Sequence, residues 1–175
     1  VQGYAQLIDP WTVEIKLNDG GTQRLTARSI VIAAGAKPFI PPLPGIDQVG
    51  CLTSDTLWDE FAKYEEVPKR MIVLGGGPIG CELAQSFSRL GSKVTQVEML
   101  GRVMIREDED VSAFAKAALE SSGVNVLTDH KALRFEVDGE RKFIVVEHQQ
   151  KEHQKTERQK TAQRIEFDTL ICAVG

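Results

Sequence analysis

The residues at 75, 77, 80 and 98 have the types and spacing to hold a dinucleotide. Gly75-Gly76-Gly77-Pro78-Ile79-Gly80 fits G-x-G-x-x-G, and Glu98 closes the next apolar run 21 residues after Gly77. Each position has a physical job. Gly75 allows a tight turn, Gly77 lets a pyrophosphate approach the backbone, and Gly80 lets helix and strand pack closely. The helix that starts here offers unpaired N–H groups and a partial positive charge to phosphate. Glu98 can accept hydrogen bonds from a ribose diol and repels a 2′-phosphate, which favours NAD(H) over NADP(H). Arg102 and Arg106 stand close enough in sequence to keep NADP(H) open, or are solvated loop charges.

These residues need a strand, a turn, a helix and a second strand to position them, and the pattern supplies all four. Met71 to Leu74 reads as a buried strand. A helix is expected from Pro78 to Leu90, with Ile79, Leu83, Phe87 and Leu90 inward; Pro78 suits its first turn and Gly91 stops it. A second helix is expected over Asp108–Ser122, with Val111, Phe114, Ala115, Ala118 and Leu119 inward, followed by a strand at Val124–Thr128. Leu133–Val137 and Phe143–Glu147 then form a hairpin about Asp138-Gly139, and Ile165 and Phe167 can pair back into it. Residues 148–163 contain no large apolar side chain and read as an exposed loop tip. Leu170 to Gly175 is again a buried strand.

Before the glycine turn the chain reads as β structure. Gly3–Ile8 and Thr12–Leu17 are strands, Asn18-Asp19-Gly20-Gly21 is a hairpin turn, and Thr22–Thr26 pairs back. Ser29–Ala33 reads as a strand buried on both faces. From Gly35 to Gly45, four prolines in eleven residues hold an extended connector and exclude a helix. Thr53 or Ser54 then caps a short helix through Leu57, Trp58 and Phe61, ending before Pro68.

At 175 residues and a formal net charge of -4, the chain suits a soluble domain with no nucleic-acid footprint. No apolar run approaches the roughly 20 residues that span a bilayer, and VQGYAQLIDP is not a signal peptide. Cys51, Cys81 and Cys172 form neither a disulfide framework nor a metal knuckle, so a reducing cytoplasm is expected. Cys81 and Cys172 read as small buried hydrophobes, and Cys51 has no visible activating partner. A P-loop would need G-K-[ST], and a short-chain dehydrogenase a Tyr with a Lys four residues on; Tyr4 is followed by Ile8 and Tyr64 by Pro68.

The segment SIVIAAGAKPFIPPLPG (29–45) resembles the junction of the FAD-dependent pyridine nucleotide–disulfide oxidoreductases, which include dihydrolipoyl dehydrogenase, mercuric reductase and glutathione reductase. GGGPIGCELAQSFSRLGSKVTQVEML resembles that family's NAD(P)H-domain fingerprint, and FDTLICAVG its returning strand. Ala34 departs from the threonine usual there. The resemblance implies a three-layer Rossmann-like α/β fold with a parallel sheet and an antiparallel β meander. It implies that 1–45 is the C-terminal part of the FAD-binding domain with its junction, and 46–175 the NAD(P)H-binding domain. It places Pro78 and Ile79 where nicotinamide access to flavin is gated, and adds Gly35 and Gly175 as cofactor contacts. It also places Glu82 near the flavin–nicotinamide contact, where the residue pattern alone reads as a boundary position.

The chain has no second G-x-G-x-x-G, no C-x-x-x-x-C and no H-x-x-x-x-E. The resemblance thus implies a portion of a larger enzyme. That enzyme passes hydride between NAD(P)H and FAD, draws on a cysteine pair outside this chain, and forms a homodimer through a C-terminal domain outside it. Two other readings stay open: a nucleotide-binding regulatory module without catalysis, and a fingerprint that binds FAD.

Overall fold

A computed structural model describes residues 1–149 and 162–174. Gly175 and residues 150–161, the middle of the expected loop tip, lie outside the described residues. The chain divides into two compact units, Val1–Ala36 and Lys37–Gly175, so the proline connector goes with the second.

The first unit is an antiparallel meander of β1 (Gly3–Asp9), β2 (Thr12–Leu17) and β3 (Thr22–Thr26). Leu17 N–H donates to the Gly21 carbonyl at 3.1 Å across the expected turn, where Gly20 and Gly21 supply φ of 101° and 84°. Ile15 is buried midway along β2, as the alternation requires. The strand expected over Ser29–Ala33 does not form, and Val31 and Ile32 are 86% and 76% exposed. A doubly buried strand needs neighbours for its backbone groups. Among the described residues no strand pairs with this run.

The second unit opens with two short helices, α1 (Ile46–Val49) and α2 (Leu57–Phe61). The expected start of α2 shifts by a few residues: Thr53 N–H donates to Thr56 Oγ1 at 3.0 Å, and the Thr53 carbonyl accepts Leu57 N–H at 2.9 Å. β4 (Arg70–Leu74), α3 (Pro78–Arg89), β5 (Lys93–Val97), α4 (Glu109–Ser121) and β6 (Asn125–Leu127) follow. A second antiparallel sheet of β7 (His130–Asp138), β8 (Arg141–His148) and β9 (Ala162–Phe167) precedes the last strand, β10 (Thr169–Cys172). The parallel sheet has the order β10-β4-β5-β6, with Thr169 opposite Met71 and Met71 opposite Val94.

Strand alternation builds the three layers. Met71 and Val73 point to one face with Val94 and Ile171, against Ala84 and Phe87 of α3 and Leu119 of α4. Ile72 and Leu74 point to the other with Leu170 and Cys172, against Phe135, Ile144, Val146 and Phe167 of the antiparallel sheet. Both faces of β4 are therefore covered, which explains its unbroken apolar run.

The helix phases differ from expectation. In α3 the buried positions are Gly80, Ala84 and Phe87, while Ile79 is 50% and Leu90 64% exposed. The close contact at Gly80 sets this phase. With 80, 84 and 87 on the sheet side, residue 79 is turned about 100° away. In α4, Ser112 and Leu119 are buried with Ala115 beside them, and Phe114 is 77% exposed with Val111 also outward. Ser112 Oγ donates to the Val103 carbonyl at 2.5 Å and anchors that face. Among the described residues, no helix is long and apolar enough to cross a membrane.

Candidate functional site

The glycine turn joins the end of β4 to the start of α3, and its backbone groups are tied down one by one. Gly75 N–H donates to the Val97 carbonyl at 2.9 Å, and the Gly75 carbonyl accepts Gln96 Nε2 at 3.0 Å. Gly76 N–H donates to Glu98 Oε2 at 2.5 Å, and the Gly76 carbonyl accepts Met104 N–H at 2.7 Å. Leu100 N–H donates to the other Glu98 oxygen, Oε1, at 2.7 Å. One carboxylate thus links the turn to the loop after β5.

The glycines are needed where a side chain would not fit. Gly75 has φ 114°, and a Cβ there would lie 2.6 Å from the Ala173 carbonyl oxygen. A Cβ at Gly80 would run into the carbonyl oxygen of Gly75 itself. Gly77 differs from both. Its backbone is extended and nothing lies within 4 Å of a Cβ added there, so the space in front of it is open.

That space faces a helix start with unused donors. The first intrahelical bond of α3 runs from Cys81 N–H to the Gly77 carbonyl at 3.0 Å, Pro78 has no N–H, and no side chain caps the end. Among the described residues the N–H groups of Gly77, Ile79 and Gly80 have no partner. The arrangement fits an anion held against the turn. Each Glu98 oxygen keeps a further acceptor lone pair for a diol.

The expected residues Gly75, Gly77, Pro78, Ile79, Gly80 and Glu98 therefore come together at one end of β4 and β5. Pro78 and Ile79 are exposed at the helix start, and Glu82 is exposed one turn further along α3. Gly35, with φ 71°, belongs to the first unit, and Gly175 lies outside the described residues. Arg102 is occupied by its own loop, with Nη1 donating to the Glu107 carbonyl at 2.8 Å and Nη2 to the Ile105 carbonyl at 3.2 Å.

Sequence reasoning missed Gln96. It is fully buried in β5, holds the Gly75 carbonyl, and leaves its own Oε1 without a partner. A glutamine between Val94 and Val97 in a parallel strand was the available signal, weakened by Lys93 and Thr95 in the same strand. Cys81 also packs under the turn, Sγ 3.5 Å from the Gly76 carbonyl oxygen, and burial raises its thiol.

Relatives carry the comparison further. The chain is 37% identical over 140 residues to a mercuric reductase of Streptomyces lividans, covering 80% of this chain and 28% of that protein. It is 34% identical over 178 residues to a dihydrolipoamide dehydrogenase of Chaetomium thermophilum, covering all of this chain and 32% of that protein. Among solved structures, the HOCl-induced flavoprotein disulfide reductase RclA of Escherichia coli superposes with a TM-score of 0.69 at 27% identity, over 100% of this chain and 35% of that one. The chain thus spans about a third of the length of the proteins it resembles. Residues 2–175 match the pyridine nucleotide-disulphide oxidoreductase family, and the chain belongs to that family of FAD- and NAD(P)H-using enzymes.

Proposed function

We propose that the glycine turn binds a nicotinamide dinucleotide, NAD(H) in preference to NADP(H), as the NAD(P)H-binding domain (46–175) of a flavin-dependent oxidoreductase. Residues 1–45 are the C-terminal part of the FAD-binding domain and its junction. The reading rests above all on Glu98, whose carboxylate is bonded to Gly76 N–H at 2.5 Å. That bond supports a reading in which the phosphate donors of the turn and the diol acceptor act as one constellation.

The N–H groups of Gly77, Ile79 and Gly80 take the pyrophosphate, and Glu98 takes the adenosine ribose. Arg102 is bonded to the Glu107 and Ile105 carbonyls of its own loop, which supports NAD(H). Pro78 and Ile79 border the nicotinamide end, and Glu82 stands beside it. When bound, the dinucleotide supplies a hydride exchanged with FAD, whose electrons are shared with a cysteine pair outside this chain. This chain's residues contribute binding and orientation. The remaining partners are the rest of the parent chain with its FAD and a second subunit joined through a C-terminal domain.

The test is a titration of the full-length protein with NADH and NADPH, repeated on Glu98→Arg. The variant is expected to raise the NADPH-to-NADH affinity ratio by about tenfold or more, as loss of one charged contact implies. An unchanged ratio removes Glu98 from the site. NADH that displaces a tightly held flavin from the fingerprint would assign the turn to FAD instead.

A further inference from the structure

Two cysteines 121 residues apart in sequence meet on one face of the central sheet. Leu52 forms a parallel bridge with Ile171: its N–H donates to the Leu170 carbonyl at 2.9 Å, and its own carbonyl accepts Cys172 N–H at 2.7 Å. Alternation turns Leu52 and Ile171 toward the helices, and Cys51 and Cys172 together into the opposite layer, where both join the same apolar cluster. Cys172 is fixed in β10, whereas Cys51 is half-buried on irregular backbone after Gly50.

Cys51 Sγ lies 3.8 Å from the Leu52 carbonyl oxygen and Cys172 Sγ 3.6 Å from the Phe39 carbonyl oxygen, and each thiol shifts the titration of the other. Cys51 brings the Cys172 thiol down to about 7 against the opposing effect of burial, with help from the Val174 N–H. The same contact, together with burial, pushes the Cys51 thiol up. Such a pair gives up its first proton readily and its second reluctantly. Read singly, Cys51 lacks a partner and Cys172 is a small buried hydrophobe; the fold makes them a dithiol.

We propose that Cys51 and Cys172 form an oxidisable pair that closes reversibly to an intrachain disulfide. The oxidant is a hydroperoxide. One sulfur, as the thiolate, attacks a peroxide oxygen; the O–O bond breaks, an S–O bond forms, and the leaving hydroxide or alkoxide is protonated. The second thiol then attacks the sulfenic sulfur; the S–S bond forms, the S–O bond breaks, and water leaves with the thiol proton. Two electrons pass from the two thiols to the peroxide. Disulfide geometry is demanding, and the Cys51 side can adjust to it: Gly50 has φ 71° and nothing within 4 Å of its Cβ position. Cys81 is the internal control, since it packs in the other apolar cluster, on the helix side of the sheet.

The test treats the full-length protein with hydrogen peroxide, alkylates the remaining thiols and maps the peptides by mass spectrometry. A cross-linked pair joining Cys51 to Cys172, lighter by two hydrogens and reopened by dithiothreitol, is expected. In Cys51→Ser the link is lost and dimedone traps Cys172 as the sulfenic acid. Recovery of both cysteines alkylated after peroxide, over-oxidation of each separately, or linkage of either to another cysteine overturns the proposal. The readout is sulfur chemistry alone, so it stands or falls independently of the nucleotide reading.

Discussion

Gln96 and Glu98, on opposite sides of Val97, hold the glycine turn by its carbonyl and its N–H. The glycines themselves divide into two kinds, and alanine at each separates them. Gly80→Ala forces a Cβ against the Gly75 carbonyl, backbone that cannot yield cheaply. A destabilisation of about 2 kcal/mol is expected, in the range for overpacking, read from the urea midpoint. Gly77→Ala meets nothing within 4 Å on an extended backbone, so its midpoint should stay near the parent's while NADH affinity falls. Loss of stability in Gly77→Ala, or retained NADH binding, would move the pyrophosphate away from this turn. Glu98 has two tasks as well. An arginine there leaves Gly76 and Leu100 N–H groups without their acceptor, so absolute affinities fall for both nucleotides and only their ratio reports recognition.

At the scale of elements, the parallel sheet is tied at its far end by an ion pair. Asp168 accepts Arg70 N–H at 2.9 Å and faces the Arg70 guanidinium, which holds its carboxyl below the ordinary aspartate value. A depressed folded value means that the stabilisation is present above the unfolded pKa and is lost as pH falls through the folded one. The side chains are 40% and 35% exposed, so screening limits the contribution to about 1 kcal/mol or less. Asp168→Asn should therefore melt lower than the parent at neutral pH, with the gap closing in acid; a gap independent of pH would assign the effect to the backbone bond alone. The paired strands and both long helices are legible in the sequence because period and turn chemistry are local, whereas the apolar run at Ser29–Ala33 reads as a strand and forms none. The helix phases are not legible. Apolar counting placed Ile79 and Phe114 inward, whereas the Gly80 contact and the Ser112 bond to Val103 decide which face turns to the sheet. The candidate site divides the same way: that the glycines and Glu98 lie together is readable from spacing, while Gln96 and the Cys51–Cys172 pairing depend on register between distant strands.

For the whole molecule, the two cores of the second unit are built from described residues between Leu43 and Val174. A chain beginning at Lys37 is expected to melt in one cooperative transition by circular dichroism, and a broad, gradual melt would show that the second unit is not self-sufficient. The strand order carries a further consequence, for how this chain comes to be folded. β4 needs β10 along one edge, and Asp168 beside β10 reaches it across 98 positions of sequence. Every intervening element must be made before that edge closes, so a nascent chain holds its most apolar strand half-paired throughout. Closing so long a loop is slow, and the interval before β10 arrives is when this chain is most exposed to misassembly.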